Sequence, residues 1–381
     1  MAARTVLNLS KPILDTILPP HSTAFSGIQP TGVFHLGNYL GAVRNVADLS
    51  HQVQLSDSGD KVPETPELFF SVVDLHAITV PQVPATLKAN RVGALASLLA
   101  SGVDPKRCSV FYQSSVPEHS QLNWLLSSIT SMGYLNRMTQ WKSKLGLGAS
   151  QEDVWSSESM LGKLRLGLFA YPVLMAGDIM LYRTTHVPVG EDQSQHLELT
   201  RHLITLFNKT YCSSPSTSQY AFPIPKTLLT QTKKIRSLRD PLKKMSKSDS
   251  DPASCIYITD APEAIQSKIR RAVTDSINGE PFLYDPARRP GVSNLIELCA
   301  GIQRVSTSDV EAALSSFRNH KQLKDYASEV LVNELKPVRD QYTRLMADTG
   351  YLDQLASVGT ARAREVAQKN LADIHKVMGL A

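Results

Sequence analysis

An α/β fold is the architecture this sequence predicts: a Rossmann-like parallel-sheet domain followed by an all-helical C-terminal domain. Three observations carry it. Short apolar runs alternate with a stretch of helical periodicity, the pattern of a parallel sheet. A Gly-rich turn leads into the first helix-like run. Beyond Asp260 the texture changes, and long amphipathic stretches fill the rest of the chain.

The first 23 residues stand apart. Met1 to Ser22 carry Arg4, Lys11 and several hydroxyl residues against one acid, Asp15, and close near Pro19-Pro20. A short transit leader and a disordered extension both have this composition. Ordered chain is expected from Phe25. The turn Ser26-Gly27-Ile28-Gln29-Pro30-Thr31-Gly32 precedes His35-Leu36-Gly37-Asn38 and a helix-like run to Asp48. After a polar insertion near 51–67, the apolar run Leu68 to Asp74 predicts a buried strand. Leu87, Leu95, Leu98 and Leu99 recur at helical spacing over 85–101, with Gly102 placed just past the helix end. Ser109 to Gln113 is the next strand. Polar insertions near 143–162 and 212–225 predict no packed element. The parallel-sheet domain is therefore drawn at 24–240 and the helical one at 241–381. In the latter, Asp260-Ala261-Pro262-Glu263 has capping-box spacing. Helices follow over 293–303, 308–317, 320–347 and 360–379, with Pro337 set to kink or break the third.

Composition narrows the class. Hydrophobic residues make up 42% and charged residues 20%, which supports a core and argues against disorder. The net charge of +5 is compatible with a nucleic-acid partner without requiring one. Cys108, Cys212, Cys255 and Cys299 are scattered, so neither a disulfide framework nor a structural zinc is expected. No apolar run approaches the length of a membrane span.

Two motifs carry chemistry. His35-Leu36-Gly37-Asn38 sits between a strand-like segment and a helix. A helix start exposes unpaired N–H groups and positive dipole, Gly37 would let a ligand near the backbone, and imidazole and amide side chains can donate to phosphate oxygens. The second is Lys244-Met245-Ser246-Lys247-Ser248. From Lys233 to Lys247 there are seven basic residues and one acid. Two lysines three positions apart, with hydroxyls between, can grip a triphosphate and stabilise the charge of departing pyrophosphate. Taken singly, the first is a common turn and the second a solvated basic loop.

Together the motifs resemble the signatures of class I aminoacyl-tRNA synthetases, a His-x-Gly-His type and a Lys-Met-Ser-Lys-Ser. The second is matched letter for letter; the first carries Asn38 for its last histidine, a variation tolerated in the tryptophan and tyrosine subgroup. The chain is most similar to bacterial-type tryptophanyl-tRNA synthetases. Phe25-Ser26-Gly27-Ile28-Gln29-Pro30, Val73-Asp74-Leu75-His76-Ala77-Ile78-Thr79-Val80, Val187-Pro188-Val189-Gly190-Glu191-Asp192-Gln193 and Pro290-Gly291-Val292-Ser293-Asn294 carry the likeness.

The resemblance implies ATP with Mg2+ carried on it, L-tryptophan and tRNA(Trp) as substrates, and no protein-bound metal. Catalytic roles fall on His35, Asn38, Lys244, Lys247 and Lys142. ATP contacts fall on Gln29, Pro30, Thr31, Gly37, Asn38, Gly190, Glu191, Asp192, Ile235, Lys244, Met245, Ser246, Lys247 and Ser248. Asp178 is the one acid in the apolar helix that follows Pro172. On residue chemistry alone, pairing with a nearby Lys or Arg is the simpler account. The family places the indole N–H there instead, a donor with no acceptor. Met175 lies one turn earlier as a pocket wall, and Tyr171, Gln193 and Gln29 near the substrate's polar groups. Phe25, Val187 and Val189 line the ring or serve as core; His76 borders the pocket or is a satisfied core histidine.

The implied reaction is adenylate formation followed by transfer to tRNA, with the helical domain meeting the anticodon and the last helix offering Arg362, Arg364, Lys369 and Lys376. A homodimer is implied, and a mitochondrial matrix location if the leader is one, cytoplasm otherwise. Rival readings are a tyrosyl-tRNA synthetase, a non-catalytic RNA-binding relative such as a splicing factor, and a nucleotidylyltransferase of similar fold.

Overall fold

The structure is a computed structural model that describes residues 17–145, 158–190, 193–229, 235–247, 249–277 and 279–381. Among these, five strands form one parallel sheet: β1 (Thr23–Ile28), β2 (Glu67–Val72), β3 (Ser109–Tyr112), β4 (His186–Val189) and β5 (Lys226–Leu229). Their order is β3-β2-β1-β4-β5. The winding reverses between β1 and β4, and such a switch point opens a crevice beyond the carboxyl ends of the strands.

Both faces are buried, as a parallel sheet requires. Leu68, Phe70 and Val72 of β2 enter one core, while Phe69 enters the other. The first core takes α1 (Leu36–Asn38), a π-helical turn (Tyr39–Val43), α2 (Arg44–His51) and the apolar side of α4 (Pro84–Ala100). The short α3 (Asp74–Ala77) follows β2 directly. The second core is built from α5 (Glu118–Ser127), α6 (Met132–Asn136), α7 (Gln140–Lys144), α9 (Leu166–Leu181) and α10 (Ser194–Tyr211), with the one-turn α8 (Glu158–Leu161) just before α9. The rear of the chain forms α11 (Pro262–Arg270), α12 (Pro290–Gln303), α13 (Thr307–Ala313), α14 (His320–Ala347) and α15 (Thr349–Met378).

Several expectations are corrected. Packed chain begins before Phe25: Leu18 is buried in the first core and its N–H donates to the Gln52 side chain. The rest of the proposed leader, to residue 16, lies outside the described residues. Pro172 is interior to α9, which starts at Leu166. Pro337 does not break α14, and α15 starts at Thr349 rather than 360. No capping box opens α11; Asp260 accepts the Tyr257 N–H and pairs with Lys268, while Pro262 starts the helix. The 212–225 insertion is partly packed, since Phe222 is buried against Phe207 and Asn208 holds both its N–H and its carbonyl. Of the 143–162 insertion, residues 146–157 lie outside the described residues.

The helical region docks directly on the sheet. α15 covers β3, the edge strand, which would otherwise offer an unpaired ladder. Its cations are tied to neighbouring elements at the surface: Arg362 donates to the Pro105 carbonyl, Arg364 to Glu118 and Lys376 to the Tyr220 hydroxyl. Gly359 permits this contact, because a Cβ there would fall 2.0 Å from the Val110 carbonyl oxygen. Gly359→Ala should therefore push α15 off the edge, lowering stability by about 1–3 kcal/mol. Gly350→Ala, on the same helix with no atom closer than 3.6 Å, is the control. Equal thermal midpoints for the two variants would refute the close packing.

Candidate active site

The carboxyl ends of β1 to β4 converge on two clusters. In the first, β1 runs through an exposed Gln29 and buried Pro30 to His35, the cap of α1. His35 Nδ1 accepts the Asn38 N–H at 3.3 Å, which places the ring proton on Nε2. Burial, with Lys247 and Lys244 nearby, lowers its pKa to about 4, so the ring is neutral near pH 7. It can donate to an anion without adding a buried charge. Gly37 has a more local reason than ligand approach: a Cβ would fall 2.8 Å from His35 Cε1. Asn38 Oδ1 is buried with no partner.

The lysine motif closes a hairpin. The Met245 N–H donates to the Ile235 carbonyl, Ser237 N–H to the Lys243 carbonyl, and Arg236 is bridged to Lys244. The Ile235 and Met245 side chains are buried in the first core and anchor the hairpin, which leaves their backbones for the nucleotide, as expected of Ile235. Lys244 is exposed. Lys247 Nζ donates to the Thr31 carbonyl at 2.6 Å, with Thr31 Oγ1 at 3.4 Å. The two motifs thus touch, although 216 residues separate the partners. Burial lowers the Lys247 pKa to about 8. Cys255 donates its thiol proton to the Ser246 carbonyl below the loop.

The second cluster surrounds Asp178, 1% exposed on α9. Pairing with Lys or Arg is not what satisfies it. His76 Nε2 lies 2.8 Å from Oδ2, His119 Nδ1 lies 2.7 Å from Oδ1, and Gln113 Nε2 donates to both oxygens at 2.7 and 2.9 Å. Burial pushes the carboxyl up, but His119 and His76 outweigh it and hold the pKa at about 2. A carboxylate only accepts, so His119 donates from Nδ1 and its Nε2 accepts the Tyr182 hydroxyl at 2.9 Å. Tyr182 stacks on Phe69 and Phe25, so Phe25 is a wall of the second core. Val187 joins it there. Met175 is half-buried one turn from Asp178.

A polar chain lies alongside. Tyr171 Oη sits 2.9 Å from His196 Nε2 and 3.1 Å from Gln140 Oε1, and His196 Nδ1 is 3.1 Å from Gln193 Oε1. Burial pushes the Tyr171 phenol up, so it stays a donor. The Tyr171 and His76 rings meet edge to face at 6.2 Å, which joins this chain to the Asp178 cluster. Gly190 directly follows β4, and its carbonyl accepts the Gln193 N–H. Lys142 is not joined to the His35 corner; its Nζ lies over the neighbouring Trp141 ring, while Lys144 lies over Tyr171. Glu191, Asp192 and Ser248, and the Val189 side chain, lie outside the described residues.

Sequence reasoning missed Gln113, His119 and His196. Gln113 carried a usable signal, a polar residue at the carboxyl end of an apolar parallel strand. His119 and His196 carried none beyond their identity, because only the packing of α5 and α10 turns them inward. Among the described residues, no three or more His, Cys, Asp or Glu side chains group as a metal site.

Comparison with known proteins identifies the family and the fold. The model of the family described as tRNA synthetases class I (W and Y) matches residues 19–336. The chain is 54% identical over 364 residues to the mitochondrial tryptophan--tRNA ligase of Saccharomyces cerevisiae, covering 95% of this chain and 92% of that one. It is 41% identical to the mitochondrial tryptophan--tRNA ligase of Schizosaccharomyces pombe, covering 96% and 97%. Among solved structures, tryptophanyl-tRNA synthetase from Mycoplasma pneumoniae superposes with a TM-score of 0.76 at 33% identity, covering 94% and 98%. That from Campylobacter jejuni, complexed with ADP and tryptophane, gives 0.72 at 28%, covering 94% and 100%.

Asp178→Asn exchanges an acceptor for an amide donor amid three donors, and should destabilise the fold by about 3 kcal/mol at pH 7. The folded carboxyl titrates at about 2, below the ordinary value near 3.9. Its stabilisation is therefore complete above pH ~4 and lost as pH falls toward 2. Denaturation of both proteins across that window should show the gap between them closing. A constant gap would refute the assignment.

Proposed function

Because this chain belongs to the family of class I tRNA synthetases for tryptophan and tyrosine, we propose that it activates L-tryptophan with ATP and transfers it to tRNA(Trp) through a tryptophanyl-adenylate. The choice of amino acid rests on Asp178. A carboxylate offers about four acceptor sites, and the three donors make four contacts with them, because the Gln113 amide is shared between both oxygens. An indole N–H would displace one half of that shared contact. A phenol hydroxyl would also bring an acceptor, and the donors around Asp178 are already turned onto the carboxylate. Met175 and the edge of His76 would border the ring, with Tyr171, Gln193 and Gln29 toward the ammonium and carboxylate.

In the first step the tryptophan carboxylate attacks the α-phosphorus, and pyrophosphate leaves. The carboxylate is already a nucleophile, so no general base is needed. Positioning and electrostatics supply the acceleration. Neutral His35 donates from Nε2, Asn38 supplies its amide, and Lys247 leaves the Thr31 carbonyl for the triphosphate, joined by Lys244. Magnesium arrives on the nucleotide as part of the substrate. Gly190 to Asp192 would receive the ribose and the Gln29 to Thr31 backbone the nucleotide. In the second step the terminal 2′-hydroxyl of tRNA attacks the adenylate, and the helical region would meet the anticodon.

A homodimer fits the exposed apolar side chains of Ile78, Trp124, Met132 and Leu166, which sit on elements around the Asp178 cluster. A monomer by sedimentation at micromolar concentration would rule it out. The yeast relatives named as mitochondrial support a mitochondrial location, and a reporter fused behind residues 1–22 that stays in the cytosol would count against an N-terminal leader.

The direct test is amino-acid-dependent exchange of pyrophosphate into ATP. Tryptophan should support it and tyrosine should not; the reverse, or no exchange with either, overturns the reading. Lys247→Ala should slow exchange by about a hundredfold while tryptophan affinity stays within about twofold. The pKa of about 8 gives the pH dependence its sign. Lys247 loses its charge as pH rises through that value, so the KM for ATP should rise on the alkaline side. Lys247→Arg, charged throughout, should abolish this limb. Its persistence would place the titrating group elsewhere.

A further inference from the structure

The segment Pro290-Gly291-Val292-Ser293-Asn294 opens α12, and the proposed mechanism makes no use of it. Its contacts point to one neighbour. Asn294, 3% exposed, accepts the Arg236 N–H at 3.0 Å and donates to the Arg236 carbonyl at 3.2 Å. An amide that pairs with both backbone groups of one residue takes the place of an adjacent strand. Arg236 is the residue bridged to Lys244 across the hairpin. Two positions on, the Leu238 carbonyl accepts the Val273 N–H at 2.8 Å. Val273 in turn lies against Gly291, where a Cβ would fall 2.2 Å from its carbonyl oxygen. Ser293 steadies the same turn by accepting the Asp285 N–H. The first turn of α12 is therefore the bed under residues 236–238, directly before the lysines.

From this geometry we infer that Asn294 is a positioning residue for the lysine hairpin, setting Arg236, and through it Lys244 and Lys247, against the His35 corner. The inference rests on the synthetase reading, which supplies the nucleotide those lysines meet. Removing the amide leaves Lys244 and Lys247 chemically intact but releases the strand that carries them, and displacements of about 1 Å can cost a hundredfold in rate. An unspecific structural role would instead weaken both substrates together.

The test compares Asn294→Ala and Asn294→Asp with the unaltered full chain. The aspartate keeps the acceptor for Arg236 N–H and removes the donor to its carbonyl. Pyrophosphate exchange at varied ATP and tryptophan, and amide hydrogen exchange over residues 235–247, are measured. Asn294→Ala should lower kcat/KM for ATP tenfold or more, leave tryptophan affinity within twofold, and deprotect the Ser237 and Met245 amides. Asn294→Asp should fall between it and the unaltered chain. Unchanged ATP parameters, or equal losses for both substrates, overturn the role of Asn294. Absence of exchange in the unaltered chain would instead overturn the synthetase reading, so the two failures are distinguishable.

Discussion

One buried charge organises the amino-acid half of this molecule. Asp178 lies inside an apolar helix, where an ionised carboxylate is tolerated only when its acceptors are filled. The donors come from three separate elements: His76 on α3, Gln113 at the end of β3 and His119 on α5. Gln113 Oε1 in turn accepts the Leu75 N–H, and Asp74 takes the N–H and hydroxyl of Ser114, so the loops after β2 and β3 are tied to each other as well. The pocket's polarity is thus spent in advance on its own acid. What remains is an apolar wall and the contact that the Gln113 amide shares between both oxygens, which a ligand with a single donor would displace in part.

The phosphate half follows the opposite logic. Among its potential donors, one carries no charge and another is already occupied. His35 is neutral because burial and two lysines disfavour its cation. Lys247 is held near a pKa of 8 and rests on the Thr31 carbonyl. A permanently charged cluster of this kind would repel itself in the free protein. A triphosphate reverses the balance, since its negative charge favours protonated Lys247 over the carbonyl contact.

The strand and helix pattern was legible because burial enforces it. β2, β3 and α4 were foreseen within a residue or two, and Gly102 at the end of α4 has the positive φ its position demanded. The motif residues were legible as well, and the structure brings His35, Thr31 and Lys247 together. Illegible were features decided by distant partners. Pro172 and Pro337 read as boundaries because proline lacks an N–H, yet packing along α9 and α14 carries each helix through. Asp260 had capping-box spacing but was taken by Lys268. The pairing of Arg362 and Arg364 depended on carbonyl and carboxylate partners more than 240 positions away.

The two halves belong to opposite faces of the sheet. Residues on the His35 side fill the first core and those on the Asp178 side the second, with β1 contributing Ala24 to one and Phe25 to the other. A reaction joining ligands from the two sides can occur only where the sheet ends, beyond the carboxyl tips of β1 and β4. There the winding reverses, leaving Gln29 exposed and Gly190 half-buried rather than packed. α15 spans both cores along the far edge, placing Ala356 in the first and Ala363 in the second. The helical region therefore clamps the two faces in register, and the geometry at the crevice depends on a contact made at the opposite side of the sheet.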